Sequence, residues 1–256
     1  HYDDVIRCSA AVAQWEPAFA YGLADLQRAQ FGRHSAPGSG VLYVVAMVGR
    51  GPRKEEALEI PTTAALLIAD RILSMTGKHT LPPTIAPVKV PKIVLAPRAC
   101  QGVEVSVGGR PAGRTETITD VGQLAVQQYE AIYPRVLARA VVRRAVKKGI
   151  VYAGKEAIGV RNNSLANIAL DVGGIVWEAT ESADTRCWAL LPDRIQVLRL
   201  ELPAGEHRIG LRPVGGMLQS GQSDAAKVTI EDGRNTYLLA NFPDGRLVGT
   251  ILTSRP

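Results

Sequence analysis

The sequence predicts an α+β fold: a helical N-terminal segment, then a central helical hairpin packed on a mainly antiparallel sheet, then a small C-terminal β-module. Apolar side chains recur every three or four residues over 121–148, which is typical of a helix. Polar and apolar residues alternate over 103–107 and 194–200, which is typical of strands. Five prolines between positions 82 and 97 exclude a helix and favour an extended strap at a sheet edge.

The predicted domains are a helical segment over 1–34, an α/β core over 35–192 and an antiparallel β-module over 193–256. Hydrophobic residues make up 46% of the 256-residue chain and aromatic residues 5%, so we expect a core of Val, Leu, Ile and Ala. The formal net charge of +6 permits weak attraction to an anionic surface or polyanion. Because aromatic residues are scattered and acidic residues lie among the basic ones, we expect no specific nucleic-acid binding.

The first 33 residues predict two short antiparallel helices separated near Pro17. They are either the end of a helical repeat array or a lone pair of helices. No apolar run reaches the roughly 20 residues that span a bilayer, so we expect no transmembrane segment. The chain begins at His1 without a Met, and we expect an upstream segment to carry any targeting signal.

A linker over 34–40 leads into a predicted strand over 41–48, which is followed by a glycine-containing basic loop. The cations of that loop are Arg50, Arg53 and Lys54. Backbone N–H groups of such a loop can hold an anion; the alternative is an exposed turn. The next helix begins after Pro61, with Thr62 or Thr63 as its cap, and ends at Gly77.

The alternating strand at 103–107 is followed by a Gly108-Gly109 turn, and we expect the returning strand at 114–119. Thr119 or Asp120 caps the long helix at 121–148, which Pro134 kinks or divides in two. A second helix at 165–181 completes the predicted hairpin. Further short strands are predicted at 194–200, 207–211, 227–230, 236–240 and 246–252.

Arg139, Arg143 and Lys147 step by four residues along one face of the long helix. This basic stripe is either a contact for a polyanion or lipid surface, or a solvated helix face. At 178–186 a polar cluster either binds a cation or peptide, or turns the chain while Arg186 pairs with Asp184.

No spacing typical of a metal site or a catalytic motif occurs, and we expect no metal, cofactor or catalytic residue. Cys8, Cys100 and Cys187 are either buried free thiols or include one disulfide, for example between Cys100 and Cys187. Cys187 stands beside a cation that can lower a thiol pKa. A site assembled in space from Cys187 and His207 therefore remains an alternative.

The stretches ADTRCWALLP at 183–192 and LPAGEH at 202–207 resemble an uncharacterised family of bacterial envelope lipoproteins. That resemblance implies tetratricopeptide-like N-terminal repeats, an α/β module and a location in the bacterial cell envelope. The periplasm is the expected compartment, and a lipid anchor on an upstream segment is an open alternative. The motif residues that carry the resemblance are Asp184, Thr185, Arg186, Trp188, Pro192, Gly205 and His207.

From these observations we expect a non-catalytic structural or protein-interaction module of a larger assembly, with protein partners or self-assembly. Two alternatives are a hydrolase or transferase with a spatially assembled Cys/His site, and an anion-binding module that uses the basic helix face.

Overall fold

The computed structural model describes residues 2–15, 17, 19–32, 35–75, 87–157, 182–188, 190–215, 218–220 and 222–254. Its helices and strands confirm the α+β class. The helices are α1 (Tyr2–Trp15), α2 (Ala20–Gln30), α3 (Thr63–Met75) and α4 (Val121–Ala157). The strands are β1 (Ser39–Val48), β2 (Arg53–Glu59), β3 (Val88–Val94), β4 (Gly102–Val107), β5 (Arg110–Arg114), β6 (Glu116–Asp120), β7 (Arg194–Pro203), β8 (Gly205–Gly215), β9 (Leu218–Ser220), β10 (Asp224–Ile230), β11 (Asn235–Phe242) and β12 (Leu252–Thr253).

The chain divides into two compact units. The first comprises His1–Pro52, Leu95–Gln123 and Trp188–Pro256, and the second comprises Arg53–Val94 and Leu124–Cys187. These bounds differ from the predicted domains, because strands far apart in the sequence pair with one another.

The first unit contains two sheets. One has the strand order β12-β11-β1-β7-β6, and the other has the order β10-β8-β4-β5 with β9 on β8. Among the described strands, β1 runs parallel to β11, and the other pairs are antiparallel. The predicted C-terminal β-module requires the strands after residue 193 to form a sheet of their own. They do not, because β7 and β11 flank β1 and because β8 pairs with β4.

One apolar core joins the two sheets of the first unit. Alternation along β1 turns Leu42, Val44 and Ala46 toward this core, where each is fully buried. Burial of each large aliphatic side chain stabilises the fold by roughly 1.5–3 kcal/mol. The second sheet contributes the apolar residues Val103, Val105, Ile209, Leu211, Val228 and Ile230.

The second unit packs α3 and part of α4 on the two-stranded ribbon of β2 and β3. Pro91 lies inside β3, opposite Glu56, so the described part of the predicted proline strap is an edge strand. Pro82 and Pro83 lie outside the described residues. Oγ1 of Thr62 accepts a hydrogen bond from the N–H of Ala65 at 3.3 Å, so Thr62 is the cap of α3.

Pro134 lies inside one continuous helix, which excludes one of its two predicted effects, the division of α4 into two helices, and leaves the predicted kink untested. The break near Pro17 is confirmed, since α1 ends at Trp15 and α2 begins at Ala20. The second helix of the predicted hairpin, 165–181, lies outside the described residues.

Three predicted strand positions need correction. Gly108 and Gly109 have φ of 56° and 84°, so the chain reverses within two residues and returns as β5 at 110–114, whereas 116–120 forms β6 against β7. The segment after Arg53 is a strand rather than an exposed turn. The predicted strand at 246–252 is wrong, because Gly245 and Gly249 have φ of 75° and 80° and only β12 pairs there.

Candidate functional site

Two of the three predicted basic loop residues, Arg50 and Arg53, are engaged by carboxylates. Nε of Arg50 donates to Oδ1 of Asp244 at 2.7 Å, and Nε of Arg53 donates to Oε1 of Glu55 at 2.7 Å. The hydrogen bond from Arg50 also holds the pKa of Asp244 below its usual range. Both arginines are held by carboxylates, which argues against an anion cradle. Arg50 lies in the loop before β2, whereas Arg53 and Lys54 lie in β2 itself.

The predicted basic stripe lies on α4. Arg139 and Arg143 are exposed and Lys147 is half-buried. The neighbouring Arg144 donates from Nη1 to the carbonyl of Pro87, which ties α4 to the residue preceding β3. Contact of the stripe with a polyanion or a lipid surface remains a prediction.

Asp184 and Arg186 form the predicted ion pair. Nε of Arg186 lies 2.8 Å from Oδ1 of Asp184, and Nη2 lies 2.8 Å from Oδ2. These hydrogen bonds hold the pKa of Asp184 well below its usual range. The predicted Asp184–Arg186 ion pair is thus confirmed, next to the exposed Thr185 and Trp188. Residues 178–181 of the predicted cluster lie outside the described residues.

The remaining motif residues surround β7. Pro192 is buried just before it. Gly205 begins β8 with φ of 137°, and Nε2 of His207 lies 2.8 Å from the carbonyl oxygen of Pro203. Each of them therefore has a local role in the turn or in packing.

All three cysteines are free thiols, so the Cys100–Cys187 disulfide is not formed. Cys100 alone is buried, and burial raises the pKa of its thiol. Cys8 and Cys187 are exposed, which corrects the expectation of buried thiols. Cys187 belongs to the second unit and His207 to the first.

A buried carboxylate that sequence reasoning missed lies at the start of β7. Oδ2 of Asp193 accepts hydrogen bonds from Nε of Arg98 at 3.0 Å and Nε of Arg194 at 3.2 Å. Its backbone carbonyl accepts from the N–H groups of Val121 and Gly122 in the first turn of α4. Asp193 therefore joins three segments of the first unit. The only sequence signal was an Asp between a proline and a strand.

Asp120 completes this network. Its Oδ1 accepts from the N–H of Gln123 at 2.8 Å, and its Oδ2 accepts from Nη2 of Arg98 at 2.8 Å. Asp120 is thus the cap of α4, and its charge is favourable at the positive end of the helix dipole.

A second buried network joins β7 to β4. Nε2 of Gln196 donates to the carbonyl of Gln101 at 2.8 Å and to Oγ1 of Thr117 at 3.1 Å. Oε1 of Gln196 accepts from Oγ1 of Thr115 at 2.7 Å, which in turn accepts from the N–H of Val103 at 3.0 Å. The bond to Gln101, and the bond through Thr115 to Val103, therefore link β7 to β4 of the other sheet, whereas the bond to Thr117 stays within the first sheet.

A third network docks α2 on the outer face of β1 and β7. Oδ1 of Asp25 lies 2.9 Å from Nε of Arg199, and Oδ2 of Asp25 accepts from the hydroxyl of Tyr43 at 3.2 Å. Burial raises the pKa of Tyr43. The Tyr43 ring stacks on Tyr237 with their centroids 5.6 Å apart. These contacts fix the orientation of α2.

A groove of about 580 Å³ runs along the exposed side of α2. Ala24, Gln27, Arg28 and Phe31 line it at the spacing of one helix face. Phe31 is 81% exposed, and Leu23, which precedes Ala24 in the sequence, is 55% exposed. This groove is the candidate interaction site.

No family model, curated protein or solved structure matches the chain. Within the described residues no three His, Cys, Asp or Glu side chains gather where they could hold a metal ion. Among the described helices none has the length and apolarity to cross a membrane. The likeness to envelope lipoproteins therefore stays a prediction.

Proposed function

We propose that this chain is a non-catalytic protein-interaction module of the bacterial cell envelope, and that the groove of α2 receives an amphipathic helix of a partner protein. The observation that carries the proposal is a large apolar side chain, Phe31, which is exposed and lines a groove at the end of α2, a helix held to the sheet through Asp25.

The groove has the form that a helix recognises. Its lining residues Ala24, Gln27, Arg28 and Phe31 follow an i, i+3, i+4, i+7 pattern, which is the spacing by which amphipathic helices contact one another. The small side chain of Ala24 leaves room for a partner side chain, and Phe31 supplies an aromatic anchor of the kind enriched at interfaces.

The docking of α2 supports binding because it reduces the cost of ordering the surface. The Arg199 side chain is 5% exposed and holds Asp25 beneath the groove-bearing helix. Preorganised surfaces lose less conformational entropy on association.

The buried polar residues of the first unit also support a binding role. Asp193, Gln196 and Thr115 each direct their polar atoms to neighbouring backbone or side-chain groups. They are engaged in holding strands together rather than in facing a reactant. The envelope location is supported by the lipoprotein-like stretches at 183–192 and 202–207.

Affinity capture from detergent-solubilised native envelope tests the proposal. Ala24→Glu places a charge in the groove, whereas Ala10→Glu places the same charge on the exposed surface of α1. We expect one envelope protein to be retained by the wild type and by Ala10→Glu and to be lost with Ala24→Glu. Equal retention by both variants, or exclusive recovery of the protein from the cytosol, would contradict the proposal.

A further inference from the structure

The groove on α2 carries one charged side chain, and that charge restricts which helix can bind there. Of the four lining residues, Arg28 is a cation and the other three are uncharged. The Arg28 side chain is 38% exposed, so a helix that fills the groove removes water from a guanidinium. Removal of water from a charge is costly unless the partner supplies a matching group.

The hydrogen bonds of Arg28 leave most of its donors available to a partner. Nη1 donates to Oδ1 of Asp25 at 3.1 Å. Within the described ranges, Nε and Nη2 of Arg28 have no acceptor, although a guanidinium offers five N–H donors. A partner helix that covers Arg28 therefore has to bring an acceptor with it.

Asp25 is shared among several donors, which limits how far it neutralises Arg28. Its Oδ1 also lies 2.9 Å from Nε of Arg199, and its Oδ2 accepts from the hydroxyl of Tyr43. Glu201 lies 4.0 Å from Nη1 of Arg199. Neither carboxylate lines the groove, so the surface that a partner helix meets presents a cation without a carboxylate.

Phe31 places an apolar anchor one helical turn from this cation. It is the C-cap of α2 and keeps a right-handed helical conformation. Residues three apart in a helix are separated by about 4.5 Å along its axis. A partner helix that contacts both Arg28 and Phe31 matches this spacing when its acceptor and its apolar side chain lie three or four positions apart.

We propose that the α2 groove selects an acidic amphipathic helix, in which an Asp or Glu lies three or four positions from a large apolar residue. The carboxylate accepts from the available donors of Arg28, and the apolar residue packs on Phe31. Charge-assisted bonds to a guanidinium are strong, whereas a lysine at the same position would bring two cations together. This inference rests on the proposed function, because it concerns the same groove and the same partner.

Selection from a phage-displayed helix library tests the inference. The probe is a fixed two-helix scaffold with one exposed face randomised, and the target is the whole chain. Helices that bind the wild type but not Phe31→Ser depend on the groove, because this variant removes the anchor without adding charge. We expect these helices to be enriched in Asp or Glu three or four positions from a large apolar residue.

Arg28 and Arg7 provide matched charge variants, because each pairs with an Asp three residues earlier in its own helix. A selected helix is synthesised with Glu or Gln at the acidic position, and calorimetry measures both affinities. The Glu form should bind the wild type and Arg7→Gln about fivefold more tightly than the Gln form, and Arg28→Gln should bind both forms equally. A preference that survives Arg28→Gln would overturn the assignment.

Salt dependence tests the same pair in the wild type alone, should Arg28→Gln fail to fold. The ratio of the two affinities should fall toward one as the ionic strength rises, since salt screens an exposed charge pair. A ratio that does not change with salt would overturn the proposal.

The two proposals fail in different ways. If no helix of the library depends on Phe31, the groove does not receive a helix and both proposals are wrong. If the helices that depend on Phe31 carry Lys or Arg as often as Asp or Glu, the proposed function stands and only the acidic partner is wrong.

Discussion

Oδ1 of Asp25, on helix α2, lies 2.9 Å from Nε of Arg199, in the middle of strand β7. The Arg199 side chain is almost completely buried, whereas the Asp25 side chain is 23% exposed. The ion pair is therefore shielded on the sheet side and partly hydrated on the helix side. Together with the hydrogen bond from Tyr43 to Asp25, it fixes the orientation of α2.

Asp25→Asn should lower the free energy of unfolding by about 2 kcal/mol, because the buried guanidinium of Arg199 loses the carboxylate at 2.9 Å and keeps that of Glu201 at 4.0 Å. The partial exposure of Asp25 keeps the loss below that of a fully buried pair. Urea denaturation measures the change. Asp4→Asn is the control, since Asp4 pairs with Arg7 on the exposed face of α1 and should cost less than about 0.5 kcal/mol. Similar losses in the two variants would contradict the assigned role of Asp25.

Gly49→Ala should destabilise the first unit by about 3 kcal/mol. Gly49 has φ of 77°, and a Cβ there would lie 2.8 Å from Cβ of the buried Asp193, so left-handed strain and overpacking add. Gly108→Ala, at φ of 56° and with no described atom within 4 Å of its Cβ, should cost only about 1–2 kcal/mol. Thermal unfolding of the two variants gives the difference, and equal costs would contradict the close packing at Asp193.

Thr115→Val should cost about 2 kcal/mol, because it leaves Oε1 of Gln196 and the N–H of Val103 buried without their partner. The isosteric change keeps the volume of the side chain. Thr229→Val, at an exposed position of β10, should leave the midpoint of denaturation within the error of the measurement. A stabilised Thr115→Val protein would show that this network does not hold the two sheets.

Alkylation of the native protein with iodoacetamide should modify Cys8 and Cys187 and leave Cys100 intact, because burial of Cys100 excludes the reagent and raises its pKa. Intact-mass measurement should show two additions in the native state and three after denaturation. Very fast labelling of Cys187 near neutral pH, with saturation by a substrate-like electrophile, would instead support the hydrolase or transferase alternative.

Tyr129 should titrate last among the tyrosines whose pKa is raised. Its hydroxyl donates to the carbonyl of Pro91 at 2.6 Å, and burial first, then neighbouring groups, raise its pKa to about 12. Because the pKa is higher in the folded state than in the unfolded state, the neutral Tyr129 phenol stabilises the folded protein. This contribution to the free energy of unfolding is complete below pH 10 and is lost as the pH rises toward 12.

Phenolate absorbance of the wild type and of Tyr129→Phe, titrated side by side, measures this pKa. The variant should lack the step near pH 12 and should unfold about 1 kcal/mol more easily at neutral pH. Loss of an ordinary tyrosine step near pH 10 from the variant would contradict the contact with Pro91.

Periodicity predicted most of the helices and strands but none of their distant partners. The alternation over 41–48 and 236–240 identifies two strands, yet nothing in either segment indicates that Val41 pairs with Asn235 in parallel. The sequence predicts the returning strand of the hairpin at 114–119 because RTETIT alternates, whereas RPAGR at 110–114 does not. The chain nevertheless returns at 110–114, because Gly108 and Gly109, with positive φ, reverse it within two residues.

The candidate sites were harder to predict for the same reason. Arg199 looks like a solvated position of an alternating strand, and only the packing of α2 makes it a buried partner of Asp25. The basic stripe of α4, by contrast, depends on local spacing alone, and Arg139 and Arg143 are exposed as expected.

Site-specific photocrosslinking in intact cells tests the interaction module most directly. A benzophenone amino acid in place of Gln27 puts the reactive group in the middle of the α2 groove. The account predicts one discrete adduct whose crosslinked peptide belongs to an amphipathic helix of an envelope protein, and which disappears when Ala24→Glu is introduced. No adduct, or one that survives Ala24→Glu, would contradict it.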